Sequence, residues 1–261
     1  MTRHFALGNK LPNFLANPLF GDRKTFGLIP IESDPCWLEY HQKIMDFYIE
    51  NQNRGIGRVI NKAGYSIMNR VNWTGKSVLE IGPGDMNHLE VWKDKARQLK
   101  DYVVADIKPY MLERSLIFSR KLGIPSIEKH LSSRTPDAWD FEPNSFDAVI
   151  SFYSLEHLYP LEKYLEKIMS ILKPGGILIG AIPCEGGLAW GAGRYLTSRR
   201  WFKKNTNINP DKIICWEHPN TAAEVLNILE KDLKSRHLSY WPMLLPIIDI
   251  NLVARFIYEK R

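Results

Sequence analysis

Cysteine is scarce in this sequence, with only Cys36, Cys184 and Cys215 among 261 residues. An odd and widely spaced set neither frames a disulfide-stapled fold nor matches the spacing of a structural zinc site. It reads as free thiols in a reducing compartment. Long hydrophobic runs are missing too. The most apolar stretch, 241–258, is broken by Pro242, Pro246, Asp249, Asn251 and Arg255, which excludes a membrane span because charge in lipid is costly. The first residues, Met1-Thr2-Arg3-His4-Phe5, lack the basic-then-apolar order of a signal peptide, and the expectation is a cytoplasmic protein. There is no internal repeat, no Gly-x-Ser-x-Gly nucleophile turn and no Gly-Lys-Ser/Thr phosphate loop. No His/Cys/Asp cluster suggests a metal.

What is present is an ordinary globular composition, 44% hydrophobic and 25% charged, with a mean hydropathy of -0.27. The length suits one large domain or one domain with appendages, and it can bury a sizeable core without staples. A formal net charge of +6 favours anionic partners: a phosphorylated substrate, the surface of an anionic membrane, or nucleic acid. A merely solvated basic surface explains it as well. The oligomeric state is left open.

Residues 1–35 show scattered Pro and Gly without a period and are expected to form an irregular arm. From 37 to 68 the spacing becomes helical, with Ile44, Tyr48, Ile56, Val59 and Ile60 as apolar positions and Gly55 and Gly57 dividing two helices. Thereafter strand and helix patterns alternate. Strands are predicted at 77–81, 102–106, 126–131, 146–151 and 177–182, and helices at 88–99, 109–122 and 161–172. A capping box at Thr221-Ala222-Ala223-Glu224 opens a helix to 233. Two strand patterns, 237–245 and 251–259, close the chain. Alternation of this kind predicts an α/β fold, a doubly wound, mostly parallel sheet of seven strands with an antiparallel last strand. The segment 184–217, rich in Gly, Trp, Arg and Lys, interrupts the rhythm and is read as an inserted lid. The division expected is an N-terminal arm with helices over 1–70 and the main domain over 71–261.

The chemistry points to the first strand. Glu80-Ile81-Gly82-Pro83-Gly84-Asp85 stands where that strand turns into a helix. Glycines there let a ligand approach the backbone, and the helix start offers free N–H groups to an anionic or carboxylate-bearing ligand. Asp106 ends the second strand, where an acid accepts hydrogen bonds from both hydroxyls of a ribose. These features suit an adenosine-containing ligand. A dinucleotide site wants a third glycine where Asn87 stands, so that fingerprint fails. Glu80 suits an ammonium group instead, which a methionyl moiety carries and a pyrophosphate does not.

At these residues the sequence resembles the class I S-adenosylmethionine (SAM) dependent methyltransferases. Val78-Leu79-Glu80-Ile81-Gly82-Pro83-Gly84 is similar to the family's first motif, and Asp106-Ile107 to its ribose-binding acid and hydrophobic neighbour. The run 144–151, ending at Ser151, resembles its fourth strand, and Leu155-Glu156-His157-Leu158 the segment after it. Leu172-Lys173-Pro174-Gly175-Gly176 resembles the turn into its fifth strand. The resemblance covers 78–183 and implies SAM as cofactor, held by Glu80, Gly82, Pro83, Gly84, Asp85, Asp106, Ile107 and Ser151. The chain departs from the pattern at Met86, where the family often has glycine. It also lacks a clean adenine-contacting acid, for which Asp137 is the nearest candidate.

Methyl transfer is an in-line displacement that an enzyme promotes mainly by alignment, with a base added when the acceptor is a hydroxyl. His157, His218 and Glu156 are the candidate catalytic residues, each with a purely structural role as the competing reading. Tyr153 is a candidate for lining the acceptor pocket. Arg194, Arg199, Arg200, Lys203 and Lys204 lie among Trp190, Tyr195 and Trp201 in the lid. They make either a phosphate-binding surface or a solvated face over packed aromatics. The lid and Trp241-Pro242-Met243-Leu244-Leu245-Pro246 are similar to methyltransferases of bacterial polysaccharide and secondary-metabolite pathways. The leading expectation is methylation of a small molecule, a sugar or glycoconjugate intermediate. An RNA methyltransferase and a catalytically silent SAM-binding regulatory or partner subunit are the rivals. Cys184, after the fifth strand rather than the fourth, is read as structural.

Overall fold

Short apolar runs separated by amphipathic segments pair into a single sheet of seven strands. A computed structural model describes residues 3–47, 55–131 and 135–261. The strands are β1 (Ser77–Ile81), β2 (Asp101–Asp106), β3 (Ile127–His130), β4 (Phe146–Phe152), β5 (Leu172–Pro183), β6 (Leu233–Trp241) and β7 (Val253–Lys260). Their order across the sheet is β3-β2-β1-β4-β5-β7-β6, with β7 antiparallel to both neighbours. This is the expected doubly wound topology, and the strand order reverses between β1 and β4. In such sheets the crevice for a ligand opens at that switch point, beyond the carboxyl ends of the strands.

Eleven helices are assigned among the described residues: α1 (Asn13–Phe20), α2 (Arg23–Phe26), α3 (Pro35–Phe47), α4 (Gly55–Tyr65), α5 (Leu89–Ala96), α6 (Pro109–Lys121), α7 (Leu161–Ile171), α8 (Leu188–Leu196), α9 (Ser198–Asn205), α10 (Pro210–Glu217) and α11 (Ala222–Asp232). Both sheet faces are covered, so β1 is buried along its whole length. On one face Leu79, Val149 and Leu178 meet Leu165 and Ile168 of α7 and Val225 and Leu229 of α11. On the other, Val78, Val104 and Ile150 meet Leu89 and Trp92 of α5 and Leu112 of α6. The capping box forms as expected. Thr221 accepts the Glu224 N–H, and Glu224 accepts the Thr221 N–H in return.

Four expectations need correction. The arm is not irregular: α1, α2 and a 3-10 turn at Leu7–Lys10 occupy it. They are too short to show a period and are shaped by what they pack on. The helix expected over 161–172 ends at Ile171, and β5 begins at Leu172 rather than 177. Phe146 pairs with Leu172 and Ala148 with Ile177, so the residues between bulge out of the ladder. Pro174 lacks an N–H, and Gly175 has φ +72, as such an irregularity requires. The last two strands lie earlier and later than expected, because β6 starts directly after α11 and stops before Pro242. Val59, expected on an apolar face, is exposed; Tyr48 lies outside the described residues.

The arm and the insertion, expected as separate appendages, share an aromatic core. Trp37, Tyr40 and Ile44 of α3 pack with Phe202 of α9 and Ile213 and Trp216 of α10. Trp37 meets Trp216 edge-on at 5.8 Å. The cap so formed sits beside the carboxyl end of β5.

In the middle of β5 the chain tolerates no side chain. A Cβ on Gly180 would run into the carbonyl oxygen of Ser151 on β4. Gly180→Ala is expected to force these strands apart and destabilise the fold by about 1–3 kcal/mol, measured by urea denaturation. Unchanged stability would show that the strands relax freely.

Candidate active site

The turn after β1 carries two glycines in the left-handed region, Gly82 (φ +66) and Gly84 (φ +58). Ser154 stands over Gly82: a Cβ there would lie 3.1 Å from the Ser154 Cβ. The Ser154 hydroxyl reaches the Ile81 carbonyl at 3.1 Å and the Ser151 hydroxyl at 2.5 Å. The end of β4 is thereby tied to the glycine turn across the switch point. Met86, where the family often has glycine, keeps the backbone that glycine would adopt (φ +54). Its fully buried side chain offsets the roughly 1–2 kcal/mol such a conformation costs.

The predicted cofactor residues separate into two levels. Asp106 is half-buried at the crevice, and its Oδ1 accepts the Lys108 N–H at 2.8 Å. Burial pushes its carboxyl up despite that bond. Ile107 packs against the core beside it. Asp85 takes a 2.6 Å bond from the Asn87 amide. Pro83 and Ser151 are buried. Glu80 lies deeper, 1% exposed, where the Tyr102 hydroxyl donates to it and His88 Nε2 stands 3.2 Å away. In this arrangement Glu80 supports the turn from beneath, with both partners already on one carboxylate oxygen. Asp137 stands exposed on a 3-10 turn.

A cavity of about 520 Å³ opens beside the turn. Arg58 and Lys62 of α4, Arg114 and Lys121 of α6, Tyr65 and Asp85 are among its lining residues.

The three candidate catalytic residues come together on the other side of Ser154, although β5 and the whole insertion separate them in sequence. A 3-10 turn, Leu155–His157, carries Glu156 and His157. The Asn220 amide donates to the carbonyls of Leu155, Glu156 and Leu158 at 3.4, 3.3 and 2.7 Å, which brings His218 alongside. The rings of His157 and His218 meet edge-on at 4.7 Å. His157 Nδ1 faces the Glu217 carbonyl and, at 3.3 Å, the Glu217 carboxylate.

A fourth residue, absent from the sequence expectation, organises this cluster. Glu185 is 1% exposed. The Arg194 guanidinium grips both its oxygens, the Trp190 indole donates to Oε2 at 3.0 Å, and His218 Nδ1 stands 3.3 Å from Oε2. Burial opposes its charge, but Arg194 and His218 together hold the Glu185 carboxyl well below the usual range. The signal available in sequence was an acid between Cys184 and Gly186 with tryptophan and arginine five and nine residues further on. Of the lid cations, Arg194 belongs to Glu185 and Arg199 to Asp211, while Arg200, Lys203 and Lys204 are exposed.

His218 is held neutral. Burial, then the Arg194 charge, lowers its pKa to about 4 against the pull of Glu185. Glu156 behaves oppositely: burial raises it to about 7 despite nearby His157, and its Oε2 has no hydrogen-bond partner. Two carboxylates of one cluster are thus driven apart, as in acid–base sites. Burial pushes the Cys184 thiol far up, in keeping with a structural role. The Tyr153 hydroxyl donates to the Ile60 carbonyl at 3.1 Å, so it braces α4.

Comparison with known proteins decides the family. A family profile described as "Methyltransferase domain" matches residues 48–232. The chain belongs to this family. A curated relative, the ubiquinone/menaquinone biosynthesis C-methyltransferase UbiE of Citrobacter koseri, is 26% identical over 105 residues. That match covers 40% of this chain and 41% of the relative. A SAM-dependent methyltransferase from Aquifex aeolicus shares the fold at 13% identity and a TM-score of 0.53, covering 78% of this chain and 93% of that one. The CurJ carbon methyltransferase does so at 14% identity and TM-score 0.53, covering 77% and 55%. The family is that of the methyltransferases, and the fold is one the chain shares with SAM-dependent methyltransferases.

The residues of this methyltransferase fit SAM. The space a Cβ on Gly84 would enter is open, and Asp106 presents a carboxylate at the crevice for ribose hydroxyls. Glu156 supplies a direct physical check on the buried cluster. Between pH 4.5 and about 7 the unfolded chain has released the Glu156 proton while the folded chain keeps it. Stability on its account therefore falls as pH rises, by about 3 kcal/mol over that span. Glu156→Gln should flatten this part of the pH–stability profile in urea denaturation. Parallel profiles for wild type and variant would refute the assignment.

Proposed function

We propose that this methyltransferase acts on a hydroxyl of a small-molecule acceptor, a sugar or glycoconjugate intermediate, with His218 as the base. The observation that carries the reading is the Glu185–His218 pair. A neutral imidazole with Nδ1 facing a buried carboxylate keeps its proton on Nδ1 and leaves Nε2 as the acceptor. SAM, when bound, supplies a methyl group on a positively charged sulfur. Asp106 and the glycine turn hold its adenosyl part, and Ser154 couples that half to the acceptor half. His218 takes the hydroxyl proton as the acceptor oxygen gains the methyl. Glu185, kept ionised by Arg194, steadies the imidazolium that forms. His157, one-third exposed, and Glu156, protonated through much of the neutral range, line the same side and bind acceptor polar groups.

For an acceptor bearing a phosphate, Arg194 and Arg199 of the lid are already paired, and the exposed Arg200, Lys203 and Lys204 are the lid cations that meet it. The names of UbiE and CurJ refer to carbon methylation. A carbon acceptor with an acidic proton needs the same base, and it is the second reading.

Labelled SAM, incubated with fractionated cell extract, tests the proposal. Label should enter the small-molecule fraction. His218→Ala should lower turnover by about 100-fold or more and leave SAM affinity intact. Asp106→Asn should weaken SAM binding by about tenfold. Full activity of His218→Ala would remove the base. Label confined to RNA would favour the nucleic-acid rival, and label in no fraction the silent subunit.

A further inference from the structure

Acidic side chains are distributed unevenly over this molecule. Residues 3–21 and 186–210 contain no Asp or Glu, and 238–250 contain only Asp249. Asp249 is buried. Its carboxylate accepts the Leu7 N–H at 3.0 and 3.1 Å and the Leu188 N–H at 3.3 Å. The one acid of these segments is thus spent on joining them. The arm is tied again to the cap where the Gly8 N–H donates to the Gly186 carbonyl at 3.1 Å. Gly187 lies against Ile248: a Cβ on it would come within 2.6 Å of the Ile248 carbonyl oxygen. A Cβ on Gly191 would come within 2.7 Å of Phe20, so α1 lies directly on α8.

These joined segments expose large apolar side chains to an unusual degree. Phe14 is 75% and Leu244 70% exposed, and Phe5, Leu196, Leu245 and Ile247 are each about half exposed. Scattered apolar residues on a surface need no explanation, but a group of this size on contacting elements does. Cations accompany them. Lys10 stands 5.1 Å over the Phe5 ring, and Arg200, Lys203 and Lys204 are exposed on α9, next to Leu196. Exposed apolar side chains on these segments, accompanied by lysine and arginine and with the segments' one acid buried, complement an anionic lipid surface. Such a surface accepts the apolar groups among its acyl chains and the cations among its phosphates. No described helix is long and apolar enough to cross a membrane, so the contact is with the surface alone.

We propose that the face formed by the arm, α8–α9 and the β6–β7 connection docks on an anionic phospholipid bilayer. On the proposed reading that His218 marks the acceptor side, and because α8 carries Trp190 and Arg194 to Glu185, docking places that side near the lipid surface. An acceptor with a lipid-embedded part is then delivered from the membrane.

Vesicle co-sedimentation of the full chain tests this, with phosphatidylglycerol vesicles against phosphatidylcholine vesicles at low and high salt. Binding is expected on phosphatidylglycerol at low salt and at least about tenfold weaker on phosphatidylcholine or at high salt. The double substitution Leu244→Ser/Leu245→Ser, and separately Lys203→Glu/Lys204→Glu, should each weaken binding by about tenfold or more. Both variants should keep SAM affinity, which establishes that they fold. Failure of the wild-type protein to sediment with phosphatidylglycerol at low salt would overturn the proposal. So would binding indifferent to both variants. A dimer in light scattering that Leu244→Ser/Leu245→Ser dissolves, without lipid binding, would assign the face to a second copy of the chain.

Discussion

A buried carboxylate must be neutralised where it stands, and Glu185 imposes that demand on the whole cap. Its desolvation would disfavour the charge, so a guanidinium has to meet it in the same dry place. Arg194 can do so only if α8 lies across the carboxyl end of β5. That placement sets the course of α9 and α10, whose apolar faces then cover α3 of the arm. The same carboxylate stands 3.3 Å from His218 Nδ1, so the ion pair that positions the cap also borders the candidate base. Structure and chemistry share one interaction.

The second constraint is the narrow approach between β1, β4 and β5. Gly180 lets the Ser151 carbonyl come close, Gly82 leaves room for Ser154, and Ser154 bonds back to Ile81. The small residues are needed because three strand ends converge at the switch point. The glycine turn and the turn at Leu155–His157 are thus joined by covalent backbone and by the short Ser151 and Ser154 side chains rather than by long mobile ones. Fixed geometry of this kind is what an in-line transfer requires. Glu156 and Glu185, each almost fully buried, illustrate how partner supply decides ionisation. The one with a guanidinium stays charged, and the one with an orphaned oxygen retains its proton up to about pH 7.

Much of this was legible in the chain. The strand–helix alternation, the seven strands, the antiparallel last strand and the capping box at Thr221 all depend on neighbours a few residues apart. The glycine turn and Asp106 were legible for the same reason: a left-handed backbone and an acid at a strand end are local facts. The bulge at 172–177 was missed, since a Pro-Gly-Gly run ends a helix and opens a loop with equal ease. Only pairing with Phe146 makes it part of a strand. The short arm helices escaped notice because a turn or two carries no measurable period.

His157 is legible as following the fourth strand and His218 as preceding a helix on the same crevice edge, yet nothing in the sequence joins them to Glu185. That acid reads as a solvent-facing residue in a glycine-rich loop until α8 folds over it. Nor could the placement of Phe14, Leu196 and Leu244 on joined segments be foreseen, since these positions are up to 230 residues apart and their segments are joined through Asp249, Gly8 and Gly191. By itself the sequence determined the sheet, the glycine turn and the family, because periodicity and backbone sterics act between near neighbours. The tertiary structure alone decided which charges are buried, which are paired and which apolar groups remain outside, because desolvation depends on everything that packs around a group.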